Sequence, residues 1–133
     1  MIAFVDTSAF YAVLNRLDEN HETADSIWKL LLEQDAVLAT NNYVLVETCV
    51  ITQNRLGLEA VREFQQEIVP ILRVEWVTKS QHDSAMAAVL AAARKKLSLV
   101  DCVSFAMMRE AGIRKAFAFD AHYVEQGFDC EFR

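Results

Sequence analysis

The sequence is poor in the residues that interrupt regular structure: one proline and three glycines in 133 residues. Low-complexity linkers and loop-dominated folds are thereby excluded, and a helix-rich globule with no internal linker is expected. Cysteine is equally scarce. Cys49, Cys102 and Cys130 are an odd number at no metal-like spacing, which argues against a disulfide framework and against a zinc knuckle, and reads as small apolar filler. No long hydrophobic run exists either. The longest, Ala85 to Ala93, is half of the roughly 20 residues a membrane span needs, and is mostly alanine. A basic, apolar leader is also missing at the start, so a cytoplasmic protein that does not enter a membrane is expected. Finally, positive charge is in deficit: the formal net charge is −6. A simple basic nucleic-acid binder is disfavoured, unless part of the acidity is concentrated around a divalent cation, in which case net charge decides nothing.

What the chain does have is apolar residues, 53% of the total, arranged as short buried runs that alternate with amphipathic stretches. The runs Ile2–Val5, Ala36–Ala39 and Ala116–Phe119 read as buried strands, Ile71–Val77 as a half-exposed strand, and Cys130–Phe132 as an edge strand. Between them, residues 8–15, 20–34, 41–56 (stopped by Gly57), 58–69, 80–97 and 99–111 (stopped by Gly112) read as helices. Asp6, Thr7 or Ser8 is available to cap the first, Asn20 the second and Thr40 the third. The helix over 80–97 is expected to be buried because its apolar residues lie on most sides. Alternating strands and helices predict a single domain, residues 1–133, of α/β class with a central, mostly parallel sheet of four or five strands.

Four acids stand where this pattern does not need them. Asp6 ends the first strand and Asp120 the run Ala116–Phe119, at the sheet edge where α/β proteins bind ligands. Glu47 has Tyr43, Val44, Val50 and Ile51 as its helical neighbours and lies in the middle of an apolar face. An unpaired ionised carboxylate there costs several kcal/mol, so it requires an internal Arg or Lys or else a metal. Asp101 follows Ser98 by three residues, the spacing of a capping box, yet its helix face continues through Ser104, Phe105 and Met108 toward the core. Asp120 has its own local explanation as a cap for a short turn. Clustered carboxylates repel one another unless cations neutralise them. Acids without histidine or thiolate point to Mg²⁺ or Mn²⁺ before zinc, and such a site suits phosphodiester hydrolysis.

The stretches VDTSAF, TNNYVLVET, LSLVDCVSFAMM and FAFDAHY, which carry these four acids in order over essentially the whole chain, are similar to the motifs of PIN-domain ribonucleases, most of all the VapC-type toxins of toxin–antitoxin pairs. Each stretch alone is weak; the ordered set is specific. The resemblance implies a PIN-like three-layer α/β/α sandwich and a metal-dependent endoribonuclease acting as the toxin of a type II toxin–antitoxin pair. It implies Asp6 and Asp101 as principal Mg²⁺ (or Mn²⁺) ligands, Glu47 and Asp120 completing a catalytic acidic pocket, and Thr7 and Ser104 in support. It also implies an RNA substrate, a cognate antitoxin and a homodimer. Ala118 departs from the pattern, since many family members place Thr or Ser there.

Candidate RNA contacts are Arg94, Lys95, Lys96 and His122, with Arg55 and Arg109 as further candidates; a solvated helix end whose cations complement its dipole is the favoured explanation of the three-residue basic run. All three histidines are expected at the surface. The alternative function is a PIN-fold RNA- or protein-binding module without turnover. Phosphatases with an Asp nucleophile carry a second Asp where this chain has Ser8, and the receiver-domain pattern is not found.

Overall fold

The computed structural model describes residues 1–133. In chain order the elements are β1 (Ile2–Val5), α1 (Thr7–Leu14), α2 (His21–Glu33), β2 (Val37–Asn41), α3 (Asn42–Leu56), α4 (Leu58–Glu63), β3 (Arg73–Glu75), α5 (Lys79–Ala92), α6 (Leu99–Ala111), β4 (Lys115–Phe117) and α7 (Ala121–Glu125). After α4 the chain continues through a π-helical turn, Phe64–Ile68, and a 3₁₀ turn, Val69–Ile71. The four strands form one parallel sheet in the order β3-β2-β1-β4. Phe4 lies opposite Ala39 on one side and Ala116 on the other, which places β1 at the centre. Its residues Ala3, Phe4 and Val5 are buried because helices cover both faces, as an all-parallel sheet requires.

A single cluster of 23 buried apolar residues fills the space between sheet and helices. Phe10 of α1 meets Phe64 edge-on with ring centroids 5.1 Å apart. Tyr123 of α7, fully buried, packs edge-on against Phe105 of α6 at 4.9 Å. On α2, Ala24 and Leu31 are buried, and Ile27 and Trp28 pack against the core. The three cysteines are free thiols, Cys102 buried and the others partly so.

Several expectations fail at element ends. Cys130–Phe132 forms no strand. One bridge, Lys115 to Asp129, is all that pairs there, and Phe132 instead packs its ring on Phe117. Thr40 does not cap α3 but lies in β2, where its hydroxyl donates to the Val5 carbonyl at 2.9 Å. Asn41 is the cap, its side-chain oxygen accepting from Val44 N–H at 2.9 Å. Asn20 occupies the cap position of α2 without using its side chain. The strand expected over 71–77 shrinks to three residues, since Pro70 draws Val69–Ile71 into the 3₁₀ turn. α5 stops at Ala92, with Ala93 in the left-handed region, and buries only Ala85. Leu90 is 72% exposed. Alanine content misleads here: it makes a good helix on all sides, while α5 packs chiefly against α6 and leaves its other faces open.

Candidate active site

The carboxyl ends of β1 and β4 and the amino end of α6 bring three of the four acids together, and α3 supplies the fourth. Asp6 follows β1 directly and caps α1: its Oδ2 accepts from Ser8 N–H at 3.1 Å and from the Ser8 hydroxyl at 2.7 Å. Its Oδ1 accepts from the Tyr123 hydroxyl at 3.0 Å. Ser8 has a second bond, its Oγ accepting from Phe119 N–H at 2.9 Å, which ties the end of β4 to the start of α1. Asp120 then caps α7, accepting from His122 N–H at 2.9 Å.

Asp101 takes part in the capping box and in the pocket at once. Its N–H donates to Ser98 Oγ at 3.1 Å and its Oδ2 accepts from Ser98 N–H at 3.3 Å, while the side chain stays buried, 3.5 Å from His122 Nδ1. The local and the functional explanations of this residue are therefore compatible. Glu47 has no Arg or Lys partner within ion-pair distance, so the internal pair offered as its alternative explanation is absent. Thr7, buried beside it, is held between α1 and α3: its hydroxyl contacts the Val44 carbonyl at 3.4 Å and accepts from Thr48 Oγ1 at 3.2 Å.

These carboxylates act on one another. Burial raises the pKa of Asp6, and the Asp120 charge adds to it, against the opposing hydrogen bonds from Ser8 and Tyr123. Burial likewise raises Glu47, opposed by a hydrogen bond from Thr7 and reinforced by the charges of Asp6, Asp101 and Asp120. Asp101 rises through burial and then the Asp120 charge. The Tyr123 hydroxyl is pushed well above its ordinary value, first by burial and then by Asp6 and Asp101, so it remains a proton donor to Asp6.

The charge of Asp120 thus bears on each of the other three acids, although their local roles differ. Asp6, Glu47, Asp101 and Asp120 line one open pocket of about 460 Å³, together with Thr7, Ser8, Tyr11, Asp18, Asn20, Ile51, Arg55, Lys96, Ser98 and Phe119. The donor set fits a hard divalent cation: oxygens dominate, and no thiolate takes part. One imidazole joins them. His122 is only 14% exposed, correcting its expected surface position, and its Nδ1 lies 3.2 Å from Asp120 Oδ1 without a well-aligned hydrogen bond. Ligand atoms of Asp101, Asp120 and His122 lie within 4.8 Å of one another, close enough to share an ion. The other histidines are also engaged, His21 with the Ala12 carbonyl at 2.7 Å and His82 with the Tyr43 hydroxyl at 2.5 Å.

The remaining candidates separate. Lys96 and Arg55 line the pocket. Arg94 pairs with Glu125 at 3.2 Å, Lys95 is exposed outside the pocket lining, and Arg109 bonds Gln126 beside the Phe128 ring, away from the acids. Ser104 lies fully buried beneath the site, accepting from Asn41 Nδ2 at 3.0 Å and hydrogen-bonding Tyr123. Of the supports in the chain Asn41–Ser104–Tyr123–Asp6, Asn41 and Tyr123 were not legible in the sequence. A tyrosine three residues past Asp120 on a helix too short to bury much else was the available signal, because a buried hydroxyl must find a partner. At Ala118 the missing side-chain hydroxyl leaves Ser8 as the one bonded to the backbone next to Asp120.

A parallel sheet with this pocket at its carboxyl edge defines a PIN fold, and the PIN domain family model matches residues 3–128. The chain belongs to the PIN-domain family. It is 36% identical over 126 residues, 94% of either chain, to the 23S rRNA-specific endonuclease VapC20 of Mycobacterium tuberculosis, in each of two strains. The crystal structure of Mycobacterium tuberculosis VapC20, described as a sarcin–ricin loop cleaving toxin, superposes with a TM-score of 0.85 at 34% identity and covers 98% of both chains. No helix is long and apolar enough to cross a membrane.

Proposed function

We propose that the chain is a divalent-metal-dependent endoribonuclease, the toxin of a type II toxin–antitoxin pair, with Asp6, Glu47, Asp101 and Asp120 as its catalytic and metal-binding acids. The observation that carries this reading is four carboxylates lining one pocket, none of them in an ion pair with Lys or Arg. Mg²⁺ or Mn²⁺ is the counter-charge proposed for them, and when bound it would supply a Lewis acid for phosphodiester hydrolysis. Asp6 and Asp101 are the principal ligands, being the most buried and the most firmly oriented. Thr7 orients Glu47, and Ser104 holds Tyr123, which fixes Asp6. Asp120, with its side chain 33% exposed, is the acid best placed to accept the proton of an attacking water.

The relatives' described target makes 23S rRNA the first substrate to examine. A cognate antitoxin and a cytoplasmic setting accompany the toxin role. Homodimerisation is supported by the apolar residues Val46 and Val50, exposed on one face of α3; a solution mass decides it. One domain, residues 1–133, carries the whole activity.

Purified free of any inhibitor, the protein is expected to cleave 23S rRNA with Mn²⁺ or Mg²⁺, to stop on chelation, and to lose at least about 100-fold when Asp6→Asn removes a ligand. Equal cleavage by wild type and a folded Asp6→Asn protein would overturn the metal-site assignment. Stable RNA binding with no metal uptake would favour a binding module instead.

A further inference from the structure

The pocket contains five carboxylates, Asp6, Asp18, Glu47, Asp101 and Asp120, and two cations, Arg55 and Lys96. Cations in such surroundings ordinarily pair with the nearest acid, yet neither forms an ion pair, whereas Arg94, just outside, is committed to Glu125. Arg55 is held differently. Its guanidinium lies over the Tyr11 ring, 5.4 Å from the centroid, and the far end of that ring is fixed by Asn15 Nδ2, which donates to the Tyr11 hydroxyl at 3.1 Å. Stacking occupies the face of a guanidinium and leaves its N–H edge free for a bidentate anion.

The two cations reach the pocket from different elements. Arg55 sits in the last turn of α3, two turns beyond Glu47, and Lys96 in the connection between α5 and α6, five residues before Asp101. We propose that Arg55 and Lys96 bind the phosphates on either side of the scissile one in a single strand of RNA, with Tyr11 as the positioning residue that keeps Arg55 off the acids. The proposal rests on the ribonuclease reading of the pocket and adds how a polyanion enters it. The acids and their cation serve the scissile phosphate; the flanking phosphates meet Arg55 and Lys96. A substrate containing only the scissile phosphate gives these two side chains nothing to hold.

The test compares a labelled single-stranded oligoribonucleotide with a dinucleoside monophosphate. Cleavage is measured on wild type, and binding on an Asp101→Asn background that blocks turnover. Arg55→Gln and Lys96→Gln are each expected to weaken oligonucleotide binding and raise its KM about tenfold, with kcat within about twofold. Each should lower the salt dependence of log K by about 0.7, and dinucleoside cleavage should be unchanged. Tyr11→Ala is expected to copy Arg55→Gln, and Tyr11→Phe, which keeps the ring face, to restore most of the affinity. Wild-type KM and salt slope in the folded Gln variants, or equal losses on both substrates, would overturn the clamp. Failure of wild type to cleave either substrate would count against the ribonuclease reading alone, because the binding series still decides the clamp.

Discussion

Asp6 uses both carboxylate oxygens inside the protein, one toward Ser8 and one toward Tyr123, and still has its pKa raised by burial. Glu47 and Asp101 are raised for the same first reason. A carboxylate whose pKa is higher in the folded state binds its proton more tightly there than in the unfolded chain. Its contribution to stability is full below the ordinary carboxylate range, near pH 4, and is lost as pH rises through the shifted value. The metal-free protein therefore carries an electrostatic load at neutral pH. Replacing Asp6 by Asn keeps an acceptor for Ser8 and removes one charge. Metal-free Asp6→Asn is expected to melt above wild type at pH 7, with the gap closing as pH falls toward about 4; thermal melts of both proteins across that range check it. A variant that melts lower at neutral pH would mean that the ionised carboxylate's bonds outweigh its burial.

At the scale of elements, the caps do two jobs. Ser98 starts α6 and also orients Asp101 through the reciprocal bonds of the capping box. Ser98→Ala is expected to cost about 1 kcal/mol of stability and to weaken Mn²⁺ binding although no ligand is removed, read by urea unfolding and by metal titration. Unchanged metal affinity would separate the cap from the site. This double use explains what could be read from the chain beforehand. Ser98, Asp101, Gly57 and Gly112 were legible because caps and stops depend on local spacing, and both glycines do take positive φ. α5 was not, because whether an alanine-rich helix is buried depends on how many neighbours the fold gives it, which no periodicity records. Nor was the cap of α3, where β2 runs on through Thr40 to Asn41.

For the molecule as a whole, the sheet order places β1 between β2 and β4 and so gathers acids separated by more than a hundred residues. β1, β2 and β4 could be read from sequence because each contains a short apolar run, their parallel arrangement because helices alternate with them, and the four acids because each follows such a run or stands on a core-facing helix face. The supports of those acids could not, since Tyr123 and Asn41 meet Asp6 and Ser104 only through the tertiary fold. Binding a cation to the folded state alone stabilises it by mass action. Saturating Mn²⁺ at neutral pH is expected to raise the melting temperature by several degrees, and the shift should vanish in Asp6→Asn/Asp101→Asn; differential scanning fluorimetry with and without chelator measures it. An equal shift in the double variant would place the ion elsewhere.

Tyr123 donates to Asp6 across 117 positions of sequence, and Phe119 N–H meets Ser8 across 111. During synthesis, then, Asp6 waits for Tyr123, and the Ser8 that holds it waits for Phe119, until these late residues have emerged. A pocket assembled in this order is incomplete in a partly synthesised chain and forms only once these late residues have folded back onto the first strand.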